Sequence, residues 1–344
     1  MFKVISLQSV LRSALGSDSG SKQHIDYLDG WRGLAILFVL VAHFFVDGYL
    51  PLLFMGEFGV NVFFVLSGML MSHILFVKET PLSIFYKRRF SRILPAFLLF
   101  VVVTYVVAWI QEAPEAKNFI YSLFFLRTYF PDDVHIWKSG IAIGHLWSLN
   151  VEEHAYLLLS LLTFLPFFKG RQYYVLIPLG VLSILIHLYY KLTPDTAPIA
   201  AGLRTEAALG FIFISGGLYL MKDKLEHLVY PWMVPMAFAL AFGVSFFRGS
   251  WLITPFLLAF TVNYLHKSPS WLLGFLCLPV LRLFGVLSFS IYLWQQPFYK
   301  FGVKLNYSNT LTEQILYLVL AILAGVISFY LIEKPARSWL NRNW

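Results

Sequence analysis

The chain has 344 residues, of which 59% are hydrophobic and 13% charged, with a formal net charge of +8 and a mean hydropathy of +0.71. Soluble globular domains hold about 45–50% apolar and about 25% charged residues, so a soluble core is excluded. The cations gather at the ends of apolar segments, a distribution that suits anionic lipid heads and argues against nucleic-acid binding.

Residues 1–24 lack a signal-peptide core and cleavage site. Phe2, Ile5, Leu7, Val10, Leu11 and Leu15 can line one side of a short cytoplasmic surface helix, with Lys3 and Arg12 opposite. From residue 25 onward the chain reads as one all-α, polytopic integral membrane domain. Ten apolar spans are expected, near 33–50, 58–76, 93–111, 147–168, 172–190, 199–221, 230–247, 251–266, 281–300 and 312–332. With the N-terminus inside, inner segments hold 18 of the 26 Lys and Arg and outer loops 7, with Arg204 inside the sixth span. That bias predicts cytoplasmic termini and an even number of spans. The short tail after the last span leads to the expectation that no soluble domain is appended. Cys277, the single cysteine, rules out an internal disulfide and thiolate clusters, and no metal or prosthetic group is expected.

Ionisable residues inside spans mark function unless a partner explains them. In WRGLAILFVLVAHFFVDGYL, Arg32 and His43 are eleven residues apart, which on a helix places them on one face and about 16 Å apart along the axis. Arg32 then falls at the inner surface and His43 about 10 Å below the outer one. In YKRRFSRILP, Arg89 and Arg92 share a helix face and present two guanidiniums of the kind that grip phosphate. In HLWSLNVEEHAY, Glu152 lies about 8 Å below the outer surface, at the depth of His43, where a carboxylate supports a general base. Trp147 and Trp294 sit where they could stack on a sugar, and Arg204 and Glu206 could pair or line an acceptor cavity. The 111–146 connection is a candidate lid, and its Asp132, Asp133 and His135 merit a check as metal ligands. This layout suits a phosphate-bearing donor acting from inside on an outer acceptor. A proton-coupled transporter or flippase with His43 and Glu152 as its relay fits equally well.

Six ordered motifs resemble the membrane acyltransferase 3 family, which includes bacterial polysaccharide O-acetylases. They are YLDGWRGLAILFVLVAHFF with its R-x10-H, FGVNVFFVLSG, RRFSRILP with its R-x-x-R, HLWSLNVEEHAYLLL, LSFSIYLWQQPF and YLIEKPARSW. The resemblance implies acyl transfer, most simply acetyl transfer, from cytoplasmic acyl-CoA to a hydroxyl of a cell-envelope or exported glycan such as an exopolysaccharide or lipopolysaccharide O-antigen. His43 would be the catalytic histidine, as base or acyl relay, and Glu152 would orient it or the sugar. Arg32, Arg89 and Arg92 would hold the donor, with Glu333 bracing them. Glu153, Trp147, Arg204, Glu206, Trp294 and Gln295 are the acceptor-binding candidates. Gln295 stands where the family commonly has histidine; a glutamine hydrogen-bonds but takes no proton at neutral pH. The expected setting is the bacterial inner membrane, with lipids, a glycan acceptor that can be lipid-linked, and glycan-assembly proteins or a second copy as partners.

Overall fold

The computed structural model describes residues 25–45, 50–112, 116–130, 136, 141–247, 249–304 and 310–343. The expected surface helix within 1–24, and Asp132, Asp133 and His135, lie outside the described residues. Every regular element among those described is helical, as a chain in lipid requires, because a helix satisfies its own backbone polar groups.

Five helices are long and apolar enough to cross a membrane: Asp26–Phe44, Phe54–Val77, Leu82–Ile110, Tyr173–Leu192 and Leu311–Asn343. Ser270–Leu276 and Pro279–Lys300, bent by 53° at their junction, make a sixth if taken as one broken span. Ten spans are expected from hydropathy, and several of the other expected segments fall on shorter or interrupted helices. The segments near 230–247 and 251–266 form helices of only 12 and 10 residues, about 18 and 15 Å long against a hydrocarbon core of about 30 Å. Between them Gly249 takes a left-handed conformation (φ 88°). In the sixth segment, extended backbone at Arg204 and the one-turn helix Thr205–Ala208 precede a helix of 16 residues.

The described chain divides into two compact units. The first, residues 1–63 and 268–343, contains α1 (Asp26–Phe44), the first part of α2 (Leu50–Ser72), α11 (Ser270–Leu276), α12 (Pro279–Lys304), α13 (Leu311–Ser328) and α14 (Lys334–Asn343). Here α1 lies along α12 at backbone distance. A Cβ on Gly30 would overlap the Leu276 carbonyl, one on Gly33 the Leu281 carbonyl, and one on Gly285 the Asp29 carbonyl. Lipid supplies little hydrophobic drive between helices, so such small-residue crossings let van der Waals contact hold them together. Asp26 accepts a 2.6 Å bond from Arg282, and Trp31 Nε1 donates to the Val62 carbonyl at 3.2 Å.

The second unit, residues 64–267, contains the rest of α2, α3 (Leu82–Glu112), α4 (Ala116–Leu123), α5 (Leu146–Leu162), α6 (Tyr173–Leu192), α7 (Thr205–Ala208), α8 (Gly210–Leu225), α9 (Met233–Val244) and α10 (Thr254–Asn263). The helix α8 packs between α6 and α10. Asn263 Nδ2 donates to the Ala259 and Ser215 carbonyls at 2.8 and 3.2 Å, and Ser215 Oγ donates to the Val65 carbonyl at 2.6 Å. This polar ladder ties α10, α8 and α2 together in apolar surroundings. Each unit also holds one π-helical turn, a distortion frequent at functional positions: Phe329–Glu333 in the first and His73–Val77 in the second.

Candidate active site

In the first unit, the histidine expected to carry chemistry is at the end of α1. His43 Nδ1 lies 2.6 Å from Gln295 Oε1 on α12. An amide oxygen only accepts, so Nδ1 carries the proton and Nε2 is the basic nitrogen of the neutral ring. The ring stacks on Tyr299, one turn beyond Gln295, with centroids 5.4 Å apart and planes at 16°. Across from it, a Cβ built on Gly56 would lie 3.9 Å from Nε2, in ordinary van der Waals contact. Gln295 is fully buried, and its Nε2 finds no hydrogen-bond partner among the described residues. Arg32 lies near the opposite end of α1, 3.6 Å from Asp29 one turn before it. Glu333, in the π turn after α13, is buried and accepts from Ser290 Oγ at 2.6 Å. Trp294 is half-buried on α12.

In the second unit, Arg89 is enclosed by carboxylates. Its Nη2 lies 2.7 Å from Glu153 Oε1 and 3.1 Å from Glu152 Oε2, and its Nε donates to Glu153 at 3.0 Å. The guanidinium stacks 3.9 Å above the Tyr156 ring, and Ser67 Oγ donates to Glu152 Oε1. Side-chain exposures of 11%, 19% and 13% for Arg89, Glu152 and Glu153 leave the cation's charge satisfied by protein. Arg92, one turn along α3, is half-buried and makes no ion pair among the described residues. The arginines of the R-x-x-R therefore differ: Arg89 is ion-paired to Glu152 and Glu153, and Arg92 makes no ion pair among the described residues. Trp147 is buried edge-on against Phe64, with centroids 5.8 Å apart.

A third cluster, also in the second unit, surrounds Glu206. Tyr129 donates to its Oε2 at 2.6 Å and Tyr190 to its Oε1 at 3.1 Å. The Arg204 guanidinium sits 5.2 Å from the Tyr129 ring, and His154 Nδ1 is 2.6 Å from Thr205 Oγ1. Burial and the bond to Glu206 push the Tyr129 phenol up to about 12, so it remains a donor throughout the physiological range.

Sequence reasoning does not reach Tyr299, Gly56, Ser290, Tyr156, Tyr129 or Tyr190. Tyr299 had a signal, since it follows Gln295 by four residues on one helix face. Ser290 lies within LSFSIYLWQQPF. The tyrosines are indistinguishable in sequence from the aromatic belts of any membrane protein.

A family model described as an acyltransferase domain matches residues 25–333. The chain belongs to this acyltransferase family. It is 28% identical to the O-acetyltransferase OatA of Staphylococcus aureus, over 92% of this chain and 58% of that protein. It is 26% identical to the peptidoglycan O-acetyltransferase OatA of Listeria monocytogenes, over 92% of this chain and 56% of that protein. The chain thus spans a little over half the length of these relatives. No solved structure matches. Membership of the family, with the apolar helices above, makes this an integral membrane acyltransferase and disfavours the transporter or flippase alternative.

Proposed function

We propose that this protein transfers an acetyl group from cytoplasmic acetyl-CoA to a hydroxyl of a cell-envelope glycan on the far side of the bacterial inner membrane. About ten crossings, with both termini cytoplasmic, are part of this reading and rest on the Lys and Arg distribution. The likeness to the Listeria peptidoglycan O-acetyltransferase favours a peptidoglycan-like acceptor over an exopolysaccharide or O-antigen. The observation that carries the reading is His43, whose Nδ1–H is held by Gln295 and whose Nε2 lies beside Gly56.

Nε2 takes the proton of the acceptor hydroxyl as its oxygen attacks the thioester carbonyl. The new C–O bond forms, the C–S bond breaks, and the proton passes from His43 to the departing thiolate, giving an ester and free CoA. Positioned base catalysis contributes about 10²–10⁴-fold. Arg92, with Lys87 and Arg88 on the same helix, supplies cations for the donor's phosphates, and Arg32 lies at the same membrane face in the charge-derived topology. Arg89 acts through Glu152 and Glu153, holding both carboxylates in place.

The test is release of thiol from acetyl-CoA, and ester formation on added glycan, by the full chain in lipid nanodiscs. Wild type should do both and His43→Ala neither. A wild-type protein that neither binds nor turns over acetyl-CoA refutes the reading.

A further inference from the structure

Outside the His43 and Arg89 networks, the Glu206 cluster gathers side chains from four separate segments: Tyr129 from 124–130, His154 from α5, Tyr190 from α6, and Thr205 with Glu206 from α7. All of these lie in the second unit. Each oxygen of Glu206 accepts one phenol, although a carboxylate oxygen can accept two bonds. Tyr129, His154, Tyr190 and Glu206 are all partly exposed, so a ligand can reach the unused capacity.

Two further observations point the same way. Asn150 precedes His154 by four residues on α5, which puts both on one face. Asn150 is 1% exposed, and its Nδ2 has no hydrogen-bond partner among the described residues. Thr128, next to Tyr129, is 4% exposed and its hydroxyl is likewise unmatched. Buried polar groups are nearly always satisfied, so unmatched ones on the segments that carry His154 and Tyr129 are groups a polar ligand would complete. The two connections that carry the cluster are also held in an unusual backbone conformation. Phe125 and Ala200, neither of them glycine, have φ of 59° and 58°, a region that side chains adopt mainly where the surrounding structure imposes it.

We infer that the Glu206 cluster is a subsite for an uncharged stretch of glycan, with the carboxylate accepting bonds from neighbouring sugar donors and the tyrosine rings packing against the sugar's C–H face. Adjacent ring positions, two hydroxyls or a hydroxyl and an acetamido N–H, present two donors to a carboxylate's two oxygens. An aromatic ring with a polar tip covers the apolar face of a pyranose while bonding at its edge. The inference rests on the acyl-transfer reading for its biological sense, since this would be the acceptor's seat, but its physical content is glycan binding and can be tested alone.

The experiment measures binding of chitotetraose and cellotetraose to the full chain in lipid nanodiscs with no acyl-CoA present, by calorimetry and by ligand-induced shift of the unfolding midpoint. Wild type should bind at least one. Glu206→Gln should weaken binding about tenfold, as expected for loss of a charge-assisted hydrogen bond, and Tyr190→Leu, which removes a ring that packs on the sugar, about threefold to tenfold. Glu226→Gln, a surface pair elsewhere, should bind as wild type does. The inference falls if wild type binds neither glycan, or if well-folded Glu206→Gln and Tyr190→Leu proteins bind undiminished. Should Glu206→Gln fail to fold, Tyr190→Leu decides the matter. Thiol release from acetyl-CoA by wild type, run in parallel, separates failure of this subsite from failure of the acyl-transfer reading.

Discussion

His43 and Arg89 are both ionisable side chains set in apolar helices, and the protein treats them in opposite ways. Arg89 meets two carboxylates, a stacked tyrosine ring and little solvent. A buried cation so thoroughly compensated cannot change its charge or take a new anion without dismantling its surroundings. His43 meets a neutral amide and a stacked phenol ring, neither of which fixes its protonation state. The contrast separates two ways of holding a side chain: the guanidinium is fixed between two carboxylates, and the imidazole is oriented through its Nδ1 by an amide oxygen.

Replacing His43 by Ala should give the largest effect, a fall of about 10²–10⁴-fold in transfer at unchanged membrane abundance. Ester formation on glycan in nanodiscs measures it. A variant retaining wild-type transfer would move the chemistry away from α1 altogether.

Arg89→Gln tests the other side of the contrast. It strands Glu152 and Glu153 without their cation and should cost about 3–5 kcal/mol of stability, read as a large drop in the unfolding midpoint in detergent. Adding Glu153→Gln to that variant removes one stranded charge and should recover part of the loss. If Arg89→Gln leaves the midpoint unchanged while raising the KM for acyl-CoA, Arg89 is a donor ligand after all and the proposed division of labour in the R-x-x-R is wrong.

Gln295→Leu should lower the rate about tenfold, the loss expected for one hydrogen bond that fixes the tautomer of a base, with the KM for acyl-CoA unaffected. A structural role alone would shift the unfolding midpoint instead, so both are measured on the same preparation.

Much of this contrast is legible in the sequence, but only as to which residues matter. The eleven-residue spacing puts Arg32 and His43 on one helix, and they do share α1. Depth arithmetic puts His43 and Glu152 at one level; the bond from His43 to Gln295, 252 residues away in the chain, is one that depth does not single out. Glu152 is bonded to Ser67 and Arg89. Depth fixes one coordinate of three, and rotation about the helix axes and helix order supply the others. Span counting is limited for a related reason. Hydropathy windows see composition and miss a left-handed Gly249 or an extended Arg204, which break apolar stretches into shorter helices. The Glu206 cluster was half visible, since Arg204 and Glu206 stand out as charges in an apolar segment. The tyrosines that define its geometry come from segments 16 and 77 residues away.

The smallest expected effect is the most discriminating. Arg92→Gln removes a cation that makes no ion pair among the described residues, so it should leave the unfolding midpoint unchanged, unlike Arg89→Gln three residues earlier. If Arg92 meets a donor phosphate, the KM for acetyl-CoA should rise about threefold to tenfold with kcat preserved, the range for a charge-assisted bond weakened by partial solvent exposure. The difference should shrink as salt rises, because exposed charges are screened within about 8–10 Å at physiological ionic strength. Acetyl-dephospho-CoA, which lacks the 3′-phosphate, locates the contact. If Arg92 holds that group, wild type should discriminate between the two donors and Arg92→Gln should not; if it holds the pyrophosphate, both proteins should discriminate alike. An Arg92→Gln protein with unchanged KM at every salt concentration would leave Arg92 without a donor role and shift the search for the phosphate site to Lys222 and Lys224 in the last turn of α8.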